Sequence, residues 1–294
     1  QMFWGYFKAD VHHNIAIYHS NERRWDDALH NYAIVHKLNP SFVMSLYFTG
    51  NVFNDRFNMD KISNPRWGDD KDVPRDDYER AMDAYNEVRR LSPNYVQMHH
   101  QVGALHMKRA EWAFNKGNAV EGDKYLERAL NRFLLYQQID PVFPANYYRM
   151  GQIFMIRKNW PEAIKAYENF IKAEKCAVAP SLIAKDVLRT SILSYQAYVQ
   201  EPGTPHPVHR HQSAEAYTNL ANAYFMTERL VEAEQAYKKA LSFDGSYEQA
   251  KRNLSVTYNK AQQAGRLKKL PPPQAMPGPG EPPFTGYEIT PAKH

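Results

Sequence analysis

Residues 144–177 read PANYYRMGQIFMIRKNWPEAIKAYENFIKAEKCA, and two residue pairs within them decide the fold. Gly151 is followed three positions on by Phe154, and Ala163 four positions on by Tyr167. The second pair recurs as Ala28/Tyr32, Ala81/Tyr85, Ala129/Phe133 and Ala233/Tyr237. Upstream of each lies a small residue, Ala16, Gly50, Gly103 or Ala221, with His19, Phe53, His106 or Tyr224 three positions later. Small residues on two consecutive helices let the backbones approach to about 8–10 Å. The aromatic, one turn beyond the alanine, shares its helix face and is expected to fill the gap to the next helix pair. Pro40, Pro93 and Pro141 follow the first three second helices, and proline cannot continue a helix. The pattern describes an all-α chain of stacked helix pairs.

The step from Ala129 to Ala163 is 34 residues and that from Ala163 to Ala233 is 70, close to two such steps. Clear repeats are expected near 9–42, 43–95, 96–143, 144–177 and 214–247. Longer steps, 53 from Ala28 to Ala81 and 48 from Ala81 to Ala129, require insertions. The first, Asn58 to Arg75, reads as a polar loop with Asp60, Asp69, Asp70 and Asp72 and the breakers Pro65 and Pro74. The second, Lys108 to Gly122, keeps a helical pattern through Trp112, Ala113 and Phe114, so both helices of the third repeat should run a turn or two long. Residues 178–213 read as a degenerate unit that has lost its second helix. Within it, Leu182, Val187, Leu188, Ile192 and Tyr195 mark one side of a helix over Ser181–Gln200, and a loop runs from Glu201 to Pro207. An end helix over 247–264 closes the repeat domain, 1–267. The tail, 268–294, carries Pro271, Pro272, Pro273, Pro277, Pro279, Pro282 and Pro283. It is expected to be extended and docked on its own repeats or on a neighbour.

This register resembles the tetratricopeptide repeat, a helix–turn–helix of about 34 residues. The resemblance implies a right-handed α-solenoid whose first helices line a concave groove. Carried over by register, the groove positions are Asp10, His13 and Ile17; Met44, Tyr47 and Asn51; Gln97, His100 and Ala104; Ala145, Tyr148 and Gln152; Glu215, Thr218 and Asn222. The residues expected to contact a partner are His13, Tyr47, Asn51, Gln97, His100, Gln101, Tyr148, Arg149, Gln152, Thr218 and Asn222. That surface is polar and aromatic and suits an extended peptide or a glycan; as bare helix faces the same residues would simply be solvated. Some members clamp a chaperone's C-terminal carboxylate with Lys, Asn, Asn, Lys and Arg. Here the positions hold Tyr47, Asn51, Gln101, Ala145 and Arg149, so both lysines are missing and chaperone clamping is not expected.

Composition narrows the function classes. A net charge of +5 over 294 residues is weak support for nucleic-acid or membrane binding. Cys176 is the only cysteine, which excludes an intramolecular disulfide and a Cys-rich zinc or haem motif. Gly117 to Lys124 faintly echoes a phosphate loop, but Asp123 stands where the lysine belongs. There is no Gly-x-Ser-x-Gly and no His-Glu-x-x-His. His206, His209 and His211 share a predicted loop without a nearby carboxylate, so no metal or other cofactor is expected. His12-His13 and His99-His100 fall on first helices, one of each pair packed and the other facing the groove.

The chain opens on Gln1 and an aromatic run, Met2-Phe3-Trp4-Gly5-Tyr6-Phe7. Two readings stand: the rings cap the first helix pair, or they sit at a membrane interface beside a membrane protein. The opening is expected to be a cut from a processed or longer protein. Tyr47 to Arg56, Pro93 to Gly103 and Asp140 to Arg149 resemble the repeat regions that follow the membrane part of bacterial O-antigen ligase-like proteins, a resemblance over roughly residues 1–170. It implies a periplasmic accessory domain whose glycosyl-transfer chemistry lies elsewhere; a cytoplasmic location is the alternative. The functional expectation is a non-catalytic protein–protein scaffold binding a protein or peptide, with no nucleic acid. The alternatives are that accessory domain and a structural subunit of a larger membrane or surface assembly.

Overall fold

The structure is a computed structural model that describes residues 2–57, 76–178, 207–273, 278 and 281–292. The loop expected over 58–75 and the helix expected over Ser181–Gln200 lie outside these residues. Eleven helices and two short strands are described. In order they are α1 (Met2–Asn21), α2 (Trp25–Leu38), α3 (Val43–Arg56), α4 (Asp77–Leu91), α5 (Val96–Asn115), α6 (Ala119–Ile139), α7 (Pro144–Ile156), α8 (Trp160–Val178), α9 (Pro207–Met226), α10 (Leu230–Phe243), α11 (Glu248–Gln263), β1 (Leu267–Lys269) and β2 (Tyr287–Ile289). They fall into two compact units, Gln1–Asp140 and Pro141–His294.

Antiparallel hairpins build both units: α1/α2, α3/α4 and α5/α6 in the first, α7/α8 and α9/α10 in the second. One turn closes four of these hairpins. Arg23, Gly117, Lys158 and Glu228 all take positive φ, between 56° and 78°. The next residue's amide then reaches back five positions to a carbonyl of the first helix: Arg24 to His19, Asn118 to Ala113, Asn159 to Phe154 and Arg229 to Tyr224, each 2.9 Å. These bonds satisfy carbonyls that a helix end would otherwise strand. Only Gly117 adopts the left-handed conformation without a steric cost. Asp76 caps α4, accepting from the Glu79 amide at 2.9 Å, and Asn118 caps α6, accepting from Glu121 at 3.1 Å. Helices α5 and α6 run to 20 and 21 residues, where α3, α4 and α7 have 14, 15 and 13.

The glycines explain how the hairpins close. A Cβ on Gly50 would lie 2.5 Å from the Tyr85 ring, one on Gly103 2.6 Å from Phe133, and one on Gly151 2.7 Å from Tyr167. Tyr85, Phe133 and Tyr167 therefore rest against the glycine of their own first helix. This corrects the expectation that the aromatic chiefly fills the gap to the next pair. Tyr32, Tyr85, Phe133, Tyr167 and Tyr237 are all buried and anchor the cores of their units.

In the second unit α8 packs directly on α9, as the second helix of one repeat packs on the first helix of the next. Ser213 donates to Glu174 at 3.0 Å and Tyr224 to Glu168 at 2.7 Å across this contact. Most of the degenerate unit expected over 178–213 lies outside the described residues. His209 and His211 fall on α9 rather than in a loop.

The tail folds back on its own unit. Strands β1 and β2 pair antiparallel, Leu267 opposite Ile289 and Lys269 opposite Tyr287. Ile289 is buried against Leu230 of α10 and Ala261 of α11. Its amide donates to Glu234 at 2.7 Å, and Lys238 donates to the Tyr287 carbonyl at 3.1 Å.

Candidate binding faces

The first helices carry the residues singled out above. In the first unit α1, α3 and α5 are neighbours along one side. Asn54 of α3 donates to the Gln101 carbonyl of α5 at 3.3 Å, and Lys108 returns a bond to the Asn54 carbonyl at 2.6 Å. Gln97 is exposed, whereas Asn51, His100 and Gln101 are half-buried. Tyr47 is buried among Phe48, Tyr85 and Tyr95, with ring centroids 5.4, 6.4 and 5.0 Å away. The His100 ring lies 5.6 Å from that of Phe133.

His13 is the packed member of its pair, enclosed by Tyr32, Phe42 and Phe48. Burial lowers its pKa, against the opposing pull of Asp10. His12 is the less buried of the two and hydrogen-bonds to Asn31 at 2.8 Å. In the other pair His99 is buried and His100 is the more open.

In the second unit Tyr148 and Glu215 join α7 to α9. Burial, and then the hydrogen bond to the Glu215 carboxylate, hold the Tyr148 hydroxyl well above its ordinary pKa. Arg149 donates to the Gln152 side chain at 3.1 Å, and both are half-buried. Thr218 is fully buried, its hydroxyl donating to the Ala214 carbonyl at 2.8 Å. Asn222 is half-buried and accepts from Tyr237 at 2.6 Å and from Asn253 of α11 at 2.8 Å.

One arrangement occurs in both units. The Tyr85 hydroxyl donates to Asn51 Oδ1 at 2.8 Å, as Tyr237 does to Asn222 Oδ1. Each asparagine directly follows the small residue of its first helix, Gly50 or Ala221. The ring's hydroxyl therefore fixes the amide, and neither asparagine's Nδ2 has a partner among the described residues. What remains on each face is an oriented N–H2 donor beside aromatic rings. The sequence signal for this is partial: Asn51 and Asn222 follow the small residues paired with Tyr85 and Tyr237, and Ala104 the one paired with Phe133, but Ile17 follows the one paired with Tyr32, and the Tyr167 hydroxyl has no partner among the described residues. Tyr95 and Asn253 were not anticipated, because one precedes its helix and the other lies on the end helix, outside the repeat register. Tyr95 also donates to Met44 Sδ at 3.0 Å.

The tetratricopeptide repeat family matches residues 214–247, the span of α9 and α10 that carries Asn222, Ala233 and Tyr237. Residues 214–247 form a tetratricopeptide repeat, and the other helix hairpins share its fold. Among solved structures of this type, MamA (residues 41 to the end) from Desulfovibrio magneticus RS-1 is 13% identical, with 82% of this chain and 97% of that one covered and a TM-score of 0.51. A MamA RS-1 double mutant is 14% identical, with 81% and 96% covered and a TM-score of 0.51. A thermophilic tetratricopeptide protein from Thermus thermophilus is 14% identical, with 85% and 98% covered and a TM-score of 0.49. Such identities speak to the fold alone. No curated protein matches the sequence.

Proposed function

We propose that this tetratricopeptide chain is a non-catalytic scaffold that holds an extended peptide segment of a partner protein against the first-helix faces. The observation that supports this is the tyrosine-fixed asparagine in each unit, Asn51 and Asn222. An amide whose oxygen is already engaged offers its N–H2 in one direction, which suits the backbone carbonyls of an extended chain. Preorganisation by Tyr85 and Tyr237 lowers the ordering cost of binding. Within the first unit Gln97 and Gln101 supply further polar contacts and the rings of Tyr47 and Tyr95 an apolar floor; within the second, Arg149 and Gln152 supply the polar contacts.

The test is selection of peptides from a displayed library against the 294-residue chain, followed by calorimetry on the best binder. Asn51→Asp and Asn222→Asp keep an acceptor for the tyrosine hydroxyl but remove the donor. At least one should weaken binding by about tenfold, the scale of a lost hydrogen bond at an interface. Unchanged affinity in both variants would overturn the reading.

A further inference from the structure

Helix α1 is apolar on two opposite sides. Ala9, His13 and Ala16 are buried on one. On the other, Trp4 is 63% exposed, Phe7 57%, Val11 41%, Ile15 38% and Tyr18 61%. This corrects the reading in which the N-terminal rings cap the first helix pair: Trp4, Tyr6 and Phe7 face outward. Trp4 stacks on Phe7 at 5.5 Å, and the Lys8 ammonium lies 5.9 Å from the Trp4 ring at the edge of the stripe. A helix apolar all round is normally covered all round, and large exposed apolar patches mark interaction sites.

The spacing says what covers it. The five residues are separated by three, four, four and three positions, which places them in one line on the helix. The series reads the same from either end, with Val11 at its centre. Lay a second copy of α1 antiparallel on the first, with the two-fold axis at Val11. Trp4 then meets Tyr18 of the other copy, Phe7 meets Ile15, and Val11 meets Val11, with no charge within the seam. A two-fold interface requires such a self-complementary patch. The area is also adequate. Aromatic side chains offer about 150–250 Å² each, so the exposed fractions amount to about 500 Å² per copy, or about 1,000 Å² for the pair. That is the lower bound for a specific, weak dimer.

We propose that α1 is a self-association helix, through which two copies of the chain pair antiparallel along Trp4, Phe7, Val11, Ile15 and Tyr18. The experiment is sedimentation equilibrium of the 294-residue chain across concentrations from about 1 to 200 µM, the range in which an interface of this size associates. The wild type should dimerise. Val11→Asp puts two carboxylates on the axis, and Phe7→Glu puts one on each side of it; each should weaken association at least thirtyfold. Phe7→Glu combined with Ile15→Lys should restore it, because only antiparallel pairing brings residue 7 against residue 15. Circular dichroism controls for folding, and these side chains are exposed, so the fold should be unaffected. A monomeric wild type, a dimer indifferent to Val11→Asp, or no rescue by the double variant overturns the proposal. Co-sedimentation of a monomeric wild type with equimolar phosphatidylcholine–phosphatidylglycerol vesicles would assign the stripe to a lipid surface instead.

Discussion

Gly50→Ala should destabilise the protein, although the substitution favours helix everywhere else. In an unconstrained helix interior alanine is better than glycine by about 1 kcal/mol. At position 50 the new methyl would lie 2.5, 2.8 and 2.9 Å from three carbons of the Tyr85 ring. Carbon atoms rest about 3.5–4.0 Å apart, so the ring must withdraw by roughly 1 Å. It has little room to do so: Tyr85 is buried, and its hydroxyl is tethered to Asn51. Overpacking of this kind costs about 1–3 kcal/mol, and a broken tyrosine–asparagine bond adds about 1 kcal/mol. After the propensity gain is subtracted, a net loss of about 1–3 kcal/mol remains. Urea unfolding followed by far-ultraviolet circular dichroism measures it as a lower midpoint at unchanged slope. Gly5→Ala is the control, since no heavy atom lies within 4 Å of the point where its methyl would stand; that variant should be neutral or slightly stabilised. If Gly50→Ala gains stability as Gly5→Ala does, the idea that the ring rests on the glycine is wrong.

Three further outcomes are expected. Lys158→Gly should raise the thermal midpoint, because a non-glycine residue at φ 56° carries about 1 kcal/mol of strain; a lower midpoint in differential scanning fluorimetry counts against it. Ile289→Ala should cost about 2–4 kcal/mol of local stability and speed hydrogen exchange at Ile289 and Thr290, with unaltered exchange as the contrary result. His106 is buried against Tyr78 and pushed down to about 4, by burial first and then by Arg132 and Arg128. Its folded pKa lies below its unfolded value of 6.5. Its contribution is therefore fully present above about pH 6.5 and is lost as pH falls toward 4, of order 3 kcal/mol in all. His106→Gln should flatten that part of the pH–stability profile. His13 and His99 shift the same way and leave a residual slope.

The repeat was legible because its cause is local. Close packing requires a small residue on one helix and an alanine–aromatic pair on the next, at spacings that chain geometry sets. The ring's resting place was less legible, because register does not distinguish a gap within a hairpin from one between hairpins; the glycine contacts decide it. The binding face was read by position alone, and position does not report burial. His13 and Thr218 occupy first-helix positions equivalent to those of more open residues, yet one is walled in by three aromatics and the other bonds back to its own helix. The enclosure of His13 depends on neighbours distant in sequence. The spacing of 70 residues from Ala163 to Ala233 is close to two repeat lengths, yet α8 and α9 meet directly. The exposed stripe on α1 is carried by five side chains whose order was plain in the sequence, but only their solvent exposure separates an outer face from a core.

The small sheet at the C-terminus bears on aggregation. A strand with unpaired amides and carbonyls along one side is a template on which further strands can grow. On β2 two such groups are taken by a single helix turn: the Ile289 amide by Glu234 and the Tyr287 carbonyl by Lys238, which are themselves ion-paired at 2.7 Å. Those two side chains quench opposite backbone polarities at the spacing the strand presents, and the edge they cover is closed to accretion from another chain.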